Sequence, residues 1–244
     1  MSRNASALIL MWLGVHVVLG QVSPALADSD RQAERQALVR SLSGVAPDLM
    51  IDDPNVRAAL LRVPRHRFVP DGLQDQAYQD KPVPIGHGQT ISQPTVVALM
   101  TQLADVDDTH KVLEVGTGSG YQAAILAQLT DQVYTIEIIE PLAREAKARL
   151  ANLGYNRIRT RQGDGYYGWP EQAPFDRILV TAAAAHIPPP LLEQLKPDGR
   201  MVIPVGPRWG AQILMLVTKN QAGDTTTESL LPVRFVPLTS ETPR

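Results

Sequence analysis

The sequence predicts an α/β fold, doubly wound around a mostly parallel sheet with an antiparallel C-terminal edge, and three features carry the prediction. From Lys111 onward, short apolar runs alternate with amphipathic stretches; the first run ends in a glycine-rich turn; the last runs have no long helix between them. Strand–helix alternation calls for parallel strands with helices on both faces. Strands joined without a crossover helix pair antiparallel. The chain has 244 residues, 44% apolar and 20% charged, which suffices for one globular unit with a substantial core.

In chain order, Arg3 precedes an apolar run over 5–19, and Ala25-Leu26-Ala27 stands ahead of the charged Asp28-Ser29-Asp30-Arg31. This is the order of a secretory signal, so residues 1–27 are expected to be removed and the mature chain to be periplasmic or secreted. The competing reading is a membrane anchor, but the run falls short of the roughly 20 residues that span a bilayer and is interrupted by Gly14 and His16. Residues 28–108 are expected to form helices and a loop packed on the main unit of 109–244. Helical spacing marks 30–42, and Asp53-Pro54 is an N-cap followed by proline at the first helical position of a helix to about 63. Residues 64–93, rich in proline, glycine and glutamine, are predicted as an irregular segment lying over something else, and a helix restarts over 94–103 with Ser92 or Gln93 at its N-terminus. Strands follow at 111–115, 133–137, 157–162, 177–181, 200–205, 213–218 and 231–237. Helices are expected at 121–129, 141–153 and 189–195.

Ligands of such sheets bind at the carboxyl ends of the strands where the order reverses. The first strand–helix turn reads Val112-Leu113-Glu114-Val115-Gly116-Thr117-Gly118-Ser119-Gly120-Tyr121. A glycine turn can be purely structural, but here the spacing is G-x-G-x-G, with Tyr121 where a dinucleotide fingerprint needs its third glycine. Glu114 would repel a pyrophosphate and suits a ligand bearing an ammonium and a sulfonium. Glu137, about 20 residues on, ends the second strand, where an acid accepts ribose hydroxyls. Asp164, in Gln162-Gly163-Asp164-Gly165 after the third strand, is placed to accept from an adenine amino group while Gly165 admits the ring. Together these acids indicate an adenosyl ligand without phosphates.

Other chemistry is disfavoured. Net charge is −2, and losing Arg3 with the leader leaves 22 basic against 25 acidic side chains, no footprint for nucleic acid. The chain has no cysteine, hence no disulfide, thiolate metal site or cysteine nucleophile. It has no phosphate-binding G-x-x-x-x-G-K-[ST] loop and no G-x-S-x-G elbow around Ser119, and its five histidines show no metal-ligand spacing, so no metal is expected.

Val112–Val115 with the glycine turn, Val133-Tyr134-Thr135-Ile136-Glu137, Phe175-Asp176-Arg177-Ile178-Leu179-Val180-Thr181 and Leu195-Lys196-Pro197-Asp198-Gly199 resemble motifs of the protein-L-isoaspartate (D-aspartate) O-methyltransferase family. Gly88-Gln89-Thr90-Ile91-Ser92-Gln93-Pro94, Arg65-His66-Arg67-Phe68-Val69-Pro70 and Val236-Pro237-Leu238-Thr239 are more specific to it, and the likeness spans roughly 35–240. The resemblance implies a Rossmann-like methyltransferase sheet. It also implies S-adenosyl-L-methionine as methyl donor, released as S-adenosyl-L-homocysteine, and isoaspartyl peptides and proteins as partners, with the free α-carboxylate of L-isoaspartyl, and D-aspartyl, residues methylated to begin repair. It makes Ser92 the catalytic residue, Thr90, Ile91 and Gln212 substrate-side residues, and Glu114, Gly116, Thr117, Gly118, Gly120, Glu137, Asp164 and Gly165 the cofactor site. On the residues alone, Ser92 reads first as a helix cap, and Gln212 serves equally as an edge-strand polar residue. A monomer without stable membrane insertion is expected. The export signal departs from the family's usual cytoplasmic location, where the methyl donor is made. Two rivals stand beside this reading: a methyltransferase for another small nucleophile, and an exported peptide-binding protein that keeps the fold without turnover.

Overall fold

The computed structural model describes residues 31–46, 48–208 and 210–240. The expected leader over 1–27 lies outside them. Two short helices come first, α1 (Gln32–Ser41) and α2 (Pro54–Arg62). Asp53 caps α2 as its sequence predicts, its carboxylate accepting from the Asn55 and Val56 N–H groups. The segment expected to be irregular is more ordered than that. It holds 3-10 turns at Arg65–Phe68 and Asp71–Gln76 and an antiparallel hairpin, β1 (Val83–Gly86) and β2 (Gln89–Ile91). Its strands are three or four residues long, too short for alternation to show. α3 (Pro94–Ala104) follows.

The sheet is built from β3 (Lys111–Val115), β4 (Gln132–Glu137), β5 (Arg159–Gln162), β6 (Phe175–Val180), β7 (Leu195–Val205), β8 (Gln212–Lys219) and β9 (Thr225–Val233), interleaved with α4 (Tyr121–Leu126), α5 (Glu140–Asn152) and α6 (Pro189–Gln194). Strand order is β5-β4-β3-β6-β7-β8-β9. The first five are parallel and the last two antiparallel, as the missing crossover helices predict. The central strands are buried on both faces, so they read as unbroken apolar runs. Leu113, Val115, Ile136, Ile178 and Val180 pack on one side with Leu191 of α6, while Val112, Val133, Leu179 and Val202 pack on the other with α3 and α4.

α1 and α2 share a core with Tyr121, Ala124 and Ile125 of α4 and Leu142 and Leu150 of α5. The N-terminal portion is therefore a second layer on the helices around the glycine turn. The strand predicted over 231–237 is displaced. β9 begins at Thr225, and from Phe235 the chain leaves the sheet, with Pro237 making a single parallel bridge to Ala183. β9 is an edge strand, as β5 is at the other end, and Thr225–Ser229 are exposed, so no apolar run announces the strand.

Candidate active site

β3 is the central strand at which the order reverses, flanked by β4 and β6. The carboxyl ends of these three strands open onto a cleft, the place where ligands of such sheets bind. Gly116, Thr117 and Gly118 form its floor, Ile136 to Ile139 one wall, Thr181 and Ala182 another, and Gln89 to Ser92 with Val236 to Thr239 its rim. The turn is tight against β6: Gly116 has φ +100°, and a Cβ there would come within 2.6 Å of Thr181 Oγ1. The N–H groups of Gly116 and Thr117 both donate to the Ile136 carbonyl, pinning the turn to β4.

Glu114 is fully buried within β3, with Thr135 opposite it in register on β4. Thr135 Oγ1 donates to Glu114 Oε2 at 2.6 Å and pairs with Thr117 Oγ1 at 2.6 Å, while Glu114 Oε1 is buried with no hydrogen-bond partner. Burial pushes the carboxyl up to about 8, against the opposing hydrogen bond from Thr135, and the nearby Glu137 adds to the rise. A buried acid with one oxygen unmatched on the lining of a cleft fits a cationic group. A positive charge beside it would favour the carboxylate and satisfy the orphan oxygen.

Glu137 sits at the other side of the floor. Oε2 accepts the Gly118 N–H at 2.8 Å and Oε1 the Ile139 N–H at 2.9 Å, so this acid orders the turn while retaining lone pairs for a ligand hydroxyl. Tyr121 also lines the cleft; burial pushes its phenol up to about 12, which keeps it neutral and unsuited to act as a base.

The sequence-predicted residues divide into two groups. Thr90, Ile91, Ser92, Glu114, Gly116, Thr117, Gly118, Glu137 and Gly165 line the cleft together. Gly120, Asp164 and Gln212 do not. Gly120 packs beneath the turn, where a Cβ would press on Leu150. Asp164 caps the turn after β5, accepting from the Tyr166 N–H and from Ser240 Oγ. Gln212 is buried and links segments, its amide donating to the Pro207 and Gly210 carbonyls and its oxygen accepting the Phe235 N–H. It thus steadies the chain just ahead of the Val236–Thr239 rim rather than facing the cleft.

Ser92 proves not to be the cap of α3. Gln93 holds that position, the Val96 and Val97 N–H groups go to its carbonyl, and the Thr95 N–H donates to Asp80 at 2.8 Å. Ser92 is left at the rim, where the cleft meets a second, open groove lined by Thr90, Ser92, Thr181, Leu231 and Val236. Thr135 and Asp80 escaped the sequence reading. Thr135 had a signal, a polar residue at an inward position of an apolar strand opposite Glu114; Asp80 had none, since its partners are set by tertiary contact.

The model of the protein-L-isoaspartate(D-aspartate) O-methyltransferase family matches residues 33–243. The protein-L-isoaspartate O-methyltransferase 1 of Nitrosospira multiformis is 57% identical over 228 residues, covering 92% of this chain and 94% of that protein. The protein-L-isoaspartate O-methyltransferase 2 of Syntrophobacter fumaroxidans is 53% identical over 245 residues, covering 98% and 99%. A Plasmodium falciparum chain described as a protein-L-isoaspartate O-methyltransferase, solved in complex with S-adenosyl-L-homocysteine, shares the fold with a TM-score of 0.72 at 24% identity, covering 86% of this chain and 98% of that one. With a family model spanning nearly the whole described chain and relatives more than half identical along almost their full length, the chain belongs to the protein-L-isoaspartate(D-aspartate) O-methyltransferase family.

Proposed function

We propose that this chain transfers the methyl group of S-adenosyl-L-methionine to the free α-carboxylate of L-isoaspartyl residues, and of D-aspartyl residues, in damaged proteins, the step that commits them to repair. The observation that carries the reading is the buried, half-satisfied Glu114 carboxyl at the glycine turn, an acid placed for a cationic cofactor. The cofactor supplies an electrophilic methyl on a sulfonium. The chain's own residues do the rest. Glu114, Glu137 and Gly165 line one cleft, where Glu114 would hold the cofactor's positive end, Glu137 its ribose hydroxyls and Gly165 its adenosyl end. The acceptor needs no base, because an ordinary carboxylate has a pKa of about 4 and is already ionised at neutral pH. Ser92 donates a hydrogen bond that fixes which oxygen attacks, and the segment over 89–92 excludes water from the line of transfer. The open groove on the Ser92 side suits an extended peptide.

The test is methyl incorporation from labelled donor into an isoaspartyl peptide and its aspartyl counterpart. Incorporation into the first alone, as a base-labile ester, is expected. Transfer only to small acids or amines would replace the substrate, and tight peptide binding without transfer would replace the activity.

The finer readings concern location and assembly. Arg3, the apolar run over 5–19 and Ala25-Leu26-Ala27 support export, with a mature monomeric chain beginning at Asp28. Terminal sequencing of the protein from its native host checks this. An intact Met1 in a cytoplasmic fraction would return the protein to its family's usual compartment.

A further inference from the structure

Asp80 stands outside the cleft, yet its carboxylate gathers three donors from the segment that follows Ser92. Thr95 N–H donates to Oδ1 at 2.8 Å, Thr95 Oγ1 to Oδ2 at 2.6 Å, and Gln93 Nε2 to Oδ2 at 3.0 Å. Thr95 is the second residue of α3, so an acid fifteen residues upstream does the work that a local cap would do. Between the two ends of this clamp the chain makes the β1–β2 hairpin and arrives at Ser92. That hairpin reaches the glycine turn, with Ile85 Cδ1 3.4 Å from the place a Cβ on Gly118 would occupy, and its second strand supplies the cleft rim. Ser92 is thus suspended between a hairpin whose first strand touches the glycine turn and a helix end held from outside.

We propose that Asp80 is a positioning residue for methyl transfer: by closing the base of the hairpin loop onto the first turn of α3, it sets the direction of the Ser92 hydroxyl at the cleft rim. The inference rests on the proposed reaction. It separates two tasks that one residue often shares, since the cap is supplied remotely and the serine hydroxyl stays free for substrate. Asp80 is exposed, so truncating it leaves no buried void.

The full chain is compared with Asp80→Ala, Asp80→Asn and Asp53→Ala, the last removing a two-bond cap from α2, outside the loop that Asp80 closes. Asp80→Ala should lower kcat for an isoaspartyl peptide roughly ten- to hundredfold, while the Kd for S-adenosyl-L-homocysteine moves less than about twofold because its acids lie on β3 and β4. Amide exchange over 83–97 should rise. Asp80→Asn should regain most of the rate, its oxygen accepting the Thr95 N–H and its amide donating to Thr95 Oγ1. Asp53→Ala should lower the melting temperature and leave kcat alone. Wild-type kcat in a folded Asp80→Ala protein, or equal rate losses in Asp80→Ala and Asp53→Ala, would overturn the proposal. If the wild type binds S-adenosyl-L-homocysteine but never methylates the peptide, the proposed reaction fails instead; the clamp then stands or falls on exchange over 83–97, and unchanged exchange in Asp80→Ala refutes it.

Discussion

At pH 7 the Glu114 carboxyl of the cofactor-free protein is mostly protonated, because burial has pushed it up to about 8. A cation in the cleft favours the ionised form, so binding S-adenosyl-L-methionine should release close to one proton at pH 7. Calorimetry in buffers of different ionisation enthalpy reads that number directly, and zero release would remove Glu114 from the cofactor site. Glu114→Gln should abolish the release and weaken binding. Folding favours the protonated acid, so its contribution is complete below the ordinary glutamate value and lost as pH rises through about 8; the cofactor-free protein should melt lower at pH 9 than at pH 6. Glu137→Ala removes acceptors for two backbone N–H groups as well as for the ligand, and should weaken cofactor binding by about 1.5–3 kcal/mol. Ser92→Ala should slow methyl transfer by tenfold to a hundredfold, the loss of one hydrogen bond to a charged group, with cofactor affinity kept. Because Asp80 rather than Ser92 caps α3, the Ser92→Ala melting temperature should stay at the wild-type value; a drop of the size a lost cap gives would return the serine to a structural role. The placement of Glu114, Gly116 and Glu137 together at the cleft was legible in the sequence, because each lies in a strand or its following turn. The bonds of Asp164 to Ser240 and of Gln212 to Phe235 were not, because an acid after a strand and a glutamine at the head of one look the same whether they face a ligand or tie down backbone.

The elements most readily foreseen are those whose burial imposes a period or an unbroken apolar run. β3, β6 and α3 begin within two residues of their predicted starts, since most residues of each are buried. The hairpin and β9 were obscured for opposite reasons: β1 and β2 are too short to alternate, and the first half of β9 meets only water on its exposed residues. Segment 234–238 has a single bridge, at Pro237, by way of regular pairing, and Gln212 provides part of what replaces a ladder. Gln212→Ala leaves the Phe235 N–H and two carbonyls without their partner, a loss of about 1–3 kcal/mol. Its expected kinetic signature is a raised KM for peptide, from a loosened rim, measured against an unchanged Kd for S-adenosyl-L-homocysteine.

For the molecule as a whole, the shared core of α1, α2, α4 and α5 makes the N-terminal portion part of the cooperative unit. Denaturant unfolding should show one transition by far-ultraviolet dichroism and by fluorescence, and a chain cut before Val69 should not fold, because Tyr121, Ile125 and Leu150 would be exposed; separate transitions would show that the layer melts alone. The edge strand has a consequence of another kind. A damaged client that has partly unravelled presents strands seeking a neighbour. Whatever bends over them repeatedly with an open sheet edge risks being recruited into the aggregate it visits. β9 offers such visitors three threonines, Glu228 and Ser229, all hydrated, followed by Pro232, which has no N–H to lend. An edge so built offers an extended chain little to pair with, which guards the enzyme against joining its clients' aggregates.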